Sequence, residues 1–78
     1  MENAMKINVR LIGAFRIDRF KEQLFDYPIG TRVDEIVDRL QIPRRALGTV
    51  LINGVHAGIE DSLNEGDTLA LLPILGGG

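Results

Sequence analysis

The chain has no cysteine. That absence excludes a disulfide framework, a Cys-based zinc site and a thiol nucleophile, and it favours a reducing compartment, the cytoplasm. Any sulfur chemistry has to use another atom of the chain. An excess of basic charge is also lacking. Nine Lys and Arg stand against eleven Asp and Glu, a formal net charge of −2, whereas nucleic-acid or anionic-membrane binding calls for a surplus of Lys and Arg. With His56 as its single histidine, the chain offers no His-based metal site. No stretch approaches the roughly 18 apolar residues of a membrane helix, and Met1-Glu2-Asn3-Ala4-Met5 lacks the basic and apolar regions of a signal peptide, so a soluble protein is expected. No repeat, low-complexity block or linker divides the 78 residues. One domain with one core is expected, since a domain of ~60 residues buries only about 60% of its unfolded surface.

What is present is punctuated by Gly, Pro and Asn, read here as turns within one fold. Met5, Ile7, Val9 and Leu11 alternate with Lys6, Asn8 and Arg10, the period of a strand with one buried face, and predict a strand over 5–12. After Gly13 and the segment 14–19, the aromatic-rich stretch 20–27, closed by Pro28 and Gly30, predicts its antiparallel partner. Val33, Ile36, Val37 and Leu40 form one apolar helical stripe behind Thr31, which reads as the N-cap, with Asp34 and Glu35 suited to the positive end of the helix dipole. The spacing predicts a helix of about three turns, stopped before Pro43. A loop or single helical turn at 43–47 ends at Gly48. Thr49–Ile52, Asn53-Gly54 and Val55–Ala57 then read as strand, type I′ turn and returning strand. Asn64-Glu65-Gly66-Asp67 marks a tight turn, and the unbroken apolar run Thr68–Leu75 predicts a strand buried on both faces.

The order is strand, strand, helix, strand, short strand, strand. Two hairpins flanking one helix give an α+β fold, a β-grasp (ubiquitin-like) mixed sheet of four to five strands with one main helix packed across it. The last strand is expected to lie centrally and pair in parallel with the first, because the chain between them contains the crossover helix. The expected division is a domain over 1–75 and a C-terminal glycine tail over 76–78.

Three of the nine glycines are the last three residues, Gly76-Gly77-Gly78. Glycine has no Cβ, so such a terminus fits a channel as narrow as a backbone and leaves its carboxylate uncovered. An adenylating enzyme could reach it, forming an acyl adenylate open to a sulfur donor. The glycines alone leave a plain flexible end or an expression remnant open as well. Their place directly after a buried strand favours presentation at a defined point.

The ending Asn64-Glu65-Gly66-Asp67-Thr68-Leu69-Ala70-Leu71-Leu72-Pro73-Ile74-Leu75-Gly76-Gly77-Gly78 resembles the C-terminus of the MoaD/ThiS family of ubiquitin-like sulfur carriers. The resemblance implies that Gly78 supplies the carboxylate that is adenylated and thiocarboxylated, with Gly77 the second Gly of the motif and Gly76 in place of a small residue. It implies docking on partners through Leu71, Leu72, Pro73, Ile74, Leu75 and Gly76. Ile74 stands where molybdopterin-synthase small subunits usually carry a second Pro, while the thiamine carriers are typically shorter and often lack the Pro. Pro73 and the chain length therefore favour the molybdopterin side. The implied protein is a substrate and not an enzyme. It binds no permanent cofactor, ATP being used by an adenylating enzyme, and its further partners are a sulfur donor protein and a synthase large subunit or thiazole synthase. A ubiquitin-like modifier joined to lysine through the same Gly78, and a plain β-grasp binding module, are the rival readings.

Other candidates are weaker. His56 reads as an ordinary strand residue, Arg44-Arg45 as a solvated pair before it reads as a docking patch, and Glu60, Asp61, Glu65 and Asp67 as turn formers without the spacing of a calcium loop. Gly13 and Gly30 follow strand ends and form no phosphate-binding fingerprint.

Overall fold

A computed structural model describes residues 3–75. They form five strands, one α-helix and two single 3₁₀ turns: β1 (Ala4–Leu11), a turn at Gly13–Arg16, β2 (Glu22–Pro28), α1 (Val33–Arg39), a turn at Arg44–Ala46, β3 (Leu47–Ile52), β4 (Val55–Ala57) and β5 (Thr68–Pro73). The sheet order is β2-β1-β5-β3-β4, with β5 parallel to β1 and every other pairing antiparallel. This is the β-grasp arrangement expected from the order of elements, with the last strand at the centre.

The alternation in β1 does what it predicts. Met5, Ile7, Val9 and Leu11 are buried, and the parallel register Val9↔Leu69 and Leu11↔Leu71 lines them up with the inward residues of β5. Val33, Ile36 and Val37 of α1 are likewise buried, and Phe15, Ile42, Val50, Leu63 and Tyr27 complete the core. Leu40, the last residue of the predicted stripe, is only partly buried at its edge.

The two ends of the helix are held differently from the expectation. Thr31 is not the N-cap; its hydroxyl donates to Pro28 O at 2.7 Å, and Arg32 occupies the cap position. The free amides of the first turn find tertiary partners instead: Val33 N–H donates to Asp61 O and Asp34 N–H to Ile59 O, while Glu35 Oε1 accepts from Arg32 N–H at 2.8 Å. The helix has seven residues, about two turns rather than three. It stops because Gln41 takes a φ of 59°. Gln41 N–H donates to Asp38 O and Ile42 N–H to Val37 O, the paired bonds of a Schellman motif, and Ile42 is buried in the same core as Val37.

Asn53 (φ 53°) and Gly54 (φ 81°) form the predicted β3–β4 turn with both central residues at positive φ. Asp67 N–H donates to Asn64 O to close the predicted turn before β5, and Gly66 carries the φ of 84° there. Two of the acidic residues act as turn acceptors, as read: Asp61 takes Gly58 N–H and Asp67 takes Asn64 N–H; Glu65 instead accepts Lys6 N–H of β1 across the fold.

Candidate functional site

The residues singled out by sequence converge on the C-terminal end of β5. Gly76, Gly77 and Gly78 lie outside the described residues, so the site is built from the strand that leads to them.

The run 68–75 is not one buried strand. Leu69, Ala70 and Leu71 are buried, β5 ends at Pro73, and Ile74 and Leu75 are 55% and 84% exposed. The reason is that its two neighbours give out. On one side β1 ends at Leu11, and Ile12 N–H makes the final bond, to Leu71 O. The next rung of a parallel ladder needs an N–H from residue 73, and Pro73 has none. Ile12 O turns to Phe15 N–H instead and opens the 3₁₀ turn at Gly13–Arg16. Pro73 is thus the residue at which the chain is released from the sheet interior.

On the other side the β3 ladder is bulged. Leu47 pairs with Pro73 and Thr49 with Leu72, so Gly48 is the extra residue. One rung survives beyond the bulge, from Ile74 N–H to Ala46 O at 3.0 Å. The 3₁₀ turn that supplies Ala46 is tied to the helix, because Arg44 donates through Nε and Nη2 to the two carboxylate oxygens of Asp38 at 3.1 and 2.7 Å. That hydrogen bond holds the Asp38 carboxyl below its ordinary value. Arg44 is therefore structural, while Arg45 is exposed beside it. A second ion pair, Arg32 with Asp34, likewise lowers the Asp34 carboxyl through its hydrogen bond, against partial burial, which pushes the other way. It sits at the opposite end of α1 from Asp38.

Of the six residues expected to dock on partners, Gly76 lies outside the described residues, and Leu71 is fully buried and belongs to the core. Leu72 and Pro73 are half-buried, and Ile74 and Leu75 are exposed. On the other sheet face from Leu69 and Leu71, the register brings Leu72 beside Thr49 and Ala70 beside Leu51, with the charged Arg10 on the far side of Ala70. Sequence alone does not single out Ala46, Gly48 or Gly13 at this site. Their relevance comes from contacts with Pro73 and Ile74 across the fold, which no local spacing encodes.

His56 is exposed on the short strand β4. Among the described residues no group of three His, Asp or Glu is placed to hold a metal ion, and no helix is long and apolar enough to cross a membrane.

Known proteins sharpen this picture. Solved structures share the fold at low identity. A solution structure of the Haloferax volcanii protein HVO 2177 superposes with a TM-score of 0.81 at 20% identity, covering 100% of this chain and 91% of that one. Small archaeal modifier protein 1 of Haloferax volcanii gives a TM-score of 0.74 at 21% identity, covering 91% of this chain and 99% of that one. A chain in the complex of subunits 1 and 2 of molybdopterin-converting factor from Helicobacter pylori gives 0.58 at 22% identity, covering 95% and 100%. No curated protein matches at the sequence level. The family model described as "ThiS family" matches residues 9–78, from the middle of β1 through the last glycine. The chain therefore belongs to the ThiS family, the ThiS/MoaD group of ubiquitin-like sulfur carriers, whose members are not themselves enzymes.

Proposed function

We propose that this chain carries sulfur on the carboxylate of Gly78 for the biosynthesis of a sulfur-containing cofactor, with molybdopterin as the product. The observation that carries the reading is the match of the family model through residue 78, on a fold whose central strand ends three residues before the glycines. An ATP-dependent adenylating enzyme binds the half-buried Leu72 and Pro73 and the exposed Ile74 and Leu75, and draws Gly76–Gly78 into its active site. The Gly78 carboxylate oxygen attacks the α-phosphate of ATP and pyrophosphate leaves. The terminal sulfur of a donor protein's persulfide then attacks the acyl carbonyl and AMP leaves; a partner's thiol cleaves the resulting acyl disulfide, giving the thiocarboxylate on Gly78 and a disulfide on the partners. A synthase large subunit takes the sulfur and returns the carboxylate. The chain contributes the carboxylate and its presentation; the thiols come from its partners, in keeping with its lack of cysteine.

Pro73 and the likeness in fold to a chain of the Helicobacter pylori molybdopterin-converting factor complex support molybdopterin over the thiamine thiazole. A second reading, conjugation of Gly78 to a lysine of a target protein, is supported by the likeness in fold to small archaeal modifier protein 1.

The test is incubation of the chain with ATP, its cognate adenylating enzyme and a sulfur donor, followed by intact-mass measurement. The expected result is replacement of one oxygen by sulfur, lost again when a molybdopterin-synthase large subunit and its precursor are supplied. Removing Gly77 and Gly78 is expected to abolish the mass change while leaving the melting temperature unaltered. A truncated chain that still becomes adenylated would sink the carrier reading. Discharge by a thiazole synthase would move the product to the thiamine thiazole, and isopeptide adducts on other proteins would favour the modifier.

A further inference from the structure

Gly48 is an exposed residue with no space for a side chain. A Cβ there would stand 2.8 Å from the carbonyl oxygen of Pro73, 2.9 Å from its carbonyl carbon and 2.9 Å from the nitrogen of Ile74. Its backbone lies outside the left-handed region, unlike Gly30, Gly54 and Gly66, which have positive φ and open space around them. Those three glycines serve turns. Gly48 serves only the approach of two backbones, and the atoms it approaches cannot swing aside as a side-chain end could.

The approach lies where the chain leaves the sheet. As the extra residue of the β3 bulge, Gly48 lies flat against the Pro73–Ile74 peptide, between the Leu47↔Pro73 and Thr49↔Leu72 pairs. Ala46, two residues earlier, accepts the Ile74 N–H. From another side, a Cβ on Gly13 would meet Pro73 Cγ at 3.5 Å, ordinary contact. Pro73 and Ile74 are thus held by the β3 bulge on one side and by the 13–16 turn on another, although Ile74 is more than half exposed.

We propose that Gly48 is a positioning residue: by lacking a side chain it lets the β3 bulge seat the Pro73–Ile74 peptide, and so fixes the point and direction from which the C-terminal segment is presented to an activating enzyme. This rests on the reading of the chain as a carrier activated at Gly78. A run of glycines has no side chains with which to set its own direction. The direction comes from the last residue bonded to the sheet, Ile74. In the adenylating step the carboxylate must meet the α-phosphate in a near-attack geometry, where a displacement of about 1 Å costs on the order of a hundredfold in rate. An alanine at position 48 has to push the peptide by a comparable distance to reach ordinary van der Waals separation.

The experiment compares Gly48→Ala with Gly30→Ala in the full chain. Gly30 has a φ of 92° and nothing within 4 Å of its would-be Cβ, so alanine there strains the backbone without displacing a neighbour. The first readout is amide hydrogen exchange at Ile74, expected to quicken at least about tenfold in Gly48→Ala relative to global opening and to follow global opening in Gly30→Ala. The second is steady-state adenylation by the cognate enzyme. In Gly48→Ala kcat is expected to fall between about tenfold and a hundredfold with KM within about twofold, because the docking residues are intact and only the reacting geometry is lost. Gly30→Ala is expected to leave both constants unchanged. The proposal is overturned if the two variants behave alike, or if the loss of kcat merely follows the loss of thermal stability. Should Gly48→Ala not fold, the wild-type chain decides: an Ile74 amide that exchanges as fast as an unbonded one means that nothing is held there. If the wild-type chain is not adenylated, the carrier reading fails and the positioning role goes with it. If it is adenylated and Gly48→Ala keeps the same kcat, the positioning role fails alone.

Discussion

The two halves of the C-terminal apolar run are made of the same kinds of residue and do opposite things. Leu69 and Leu71 sit at the centre of the sheet between β1 and β3, wholly buried, while Ile74 and Leu75 stand in solvent. Composition does not separate them. What separates them is the supply of neighbours: β1 ends, Pro73 cannot continue its ladder, and the β3 ladder continues past a bulge to a single bond at Ile74. A hydrophobic side chain is core only where other strands and the helix reach it. Past that limit the same chemistry stands in solvent, where the proposed function uses it as contact surface for another molecule.

The contrast can be broken at either end. Leu71→Ala opens a cavity beside Leu11 and Val50 and is expected to cost about 2–5 kcal/mol, a large share of the total stability of a domain this small. Urea unfolding with an unchanged m-value is the check. Leu75→Ala, four residues later, is expected to leave the urea midpoint unchanged and to raise KM for the activating enzyme by up to about tenfold, the equivalent of 1.4 kcal/mol. A stability loss in Leu75→Ala, or unchanged stability in Leu71→Ala, would overturn the division of the run.

The smallest effect is expected at the tie between the helix and the turn that carries Ala46. Arg44 lowers the Asp38 carboxyl from its ordinary 3.8. A group whose folded value is depressed contributes stability above its unfolded value and loses that contribution as the pH falls through the folded one. Asp38→Asn is therefore expected to lower the melting temperature slightly at neutral pH. The difference from wild type should shrink as the pH drops through the carboxylate range and vanish in stronger acid. Both side chains are about half exposed, so the effect should also weaken with added salt.

Much of the fold is legible in the sequence because its signals are local. The alternation of β1 and the paired positive φ of Asn53-Gly54 each depend on residues a few positions apart. The misread features depend on distant partners. Thr31 has the chemistry of an N-cap, yet the amides it was expected to satisfy are taken by Ile59 and Asp61 O, more than twenty residues away. The helix ends early through Gln41 in a conformation that usually calls for Gly, so its stop signal is absent from the residue type. Strand β3 begins at Leu47, earlier than the apolar run indicates, because Pro73 supplies a pairing partner. The same holds for the candidate site. The terminal glycines are visible to anyone reading the end of the chain, whereas Gly48 looks like the close of a loop until Pro73 is placed against it.

The parallel pairing of β1 with β5 joins the first strand made to the last. During synthesis the β1–β2 and β3–β4 hairpins leave the ribosome with the gap between them unfilled, and the sheet can close only when the residues up to Pro73 have emerged. Such sequence-distant pairing makes folding slower than local contacts would allow. It also provides a check on quality: a chain broken before its final strand has no sheet centre, no bulge against Pro73 and nothing from which to offer a C-terminus, so under the proposed carrier function an activating enzyme would meet only finished molecules.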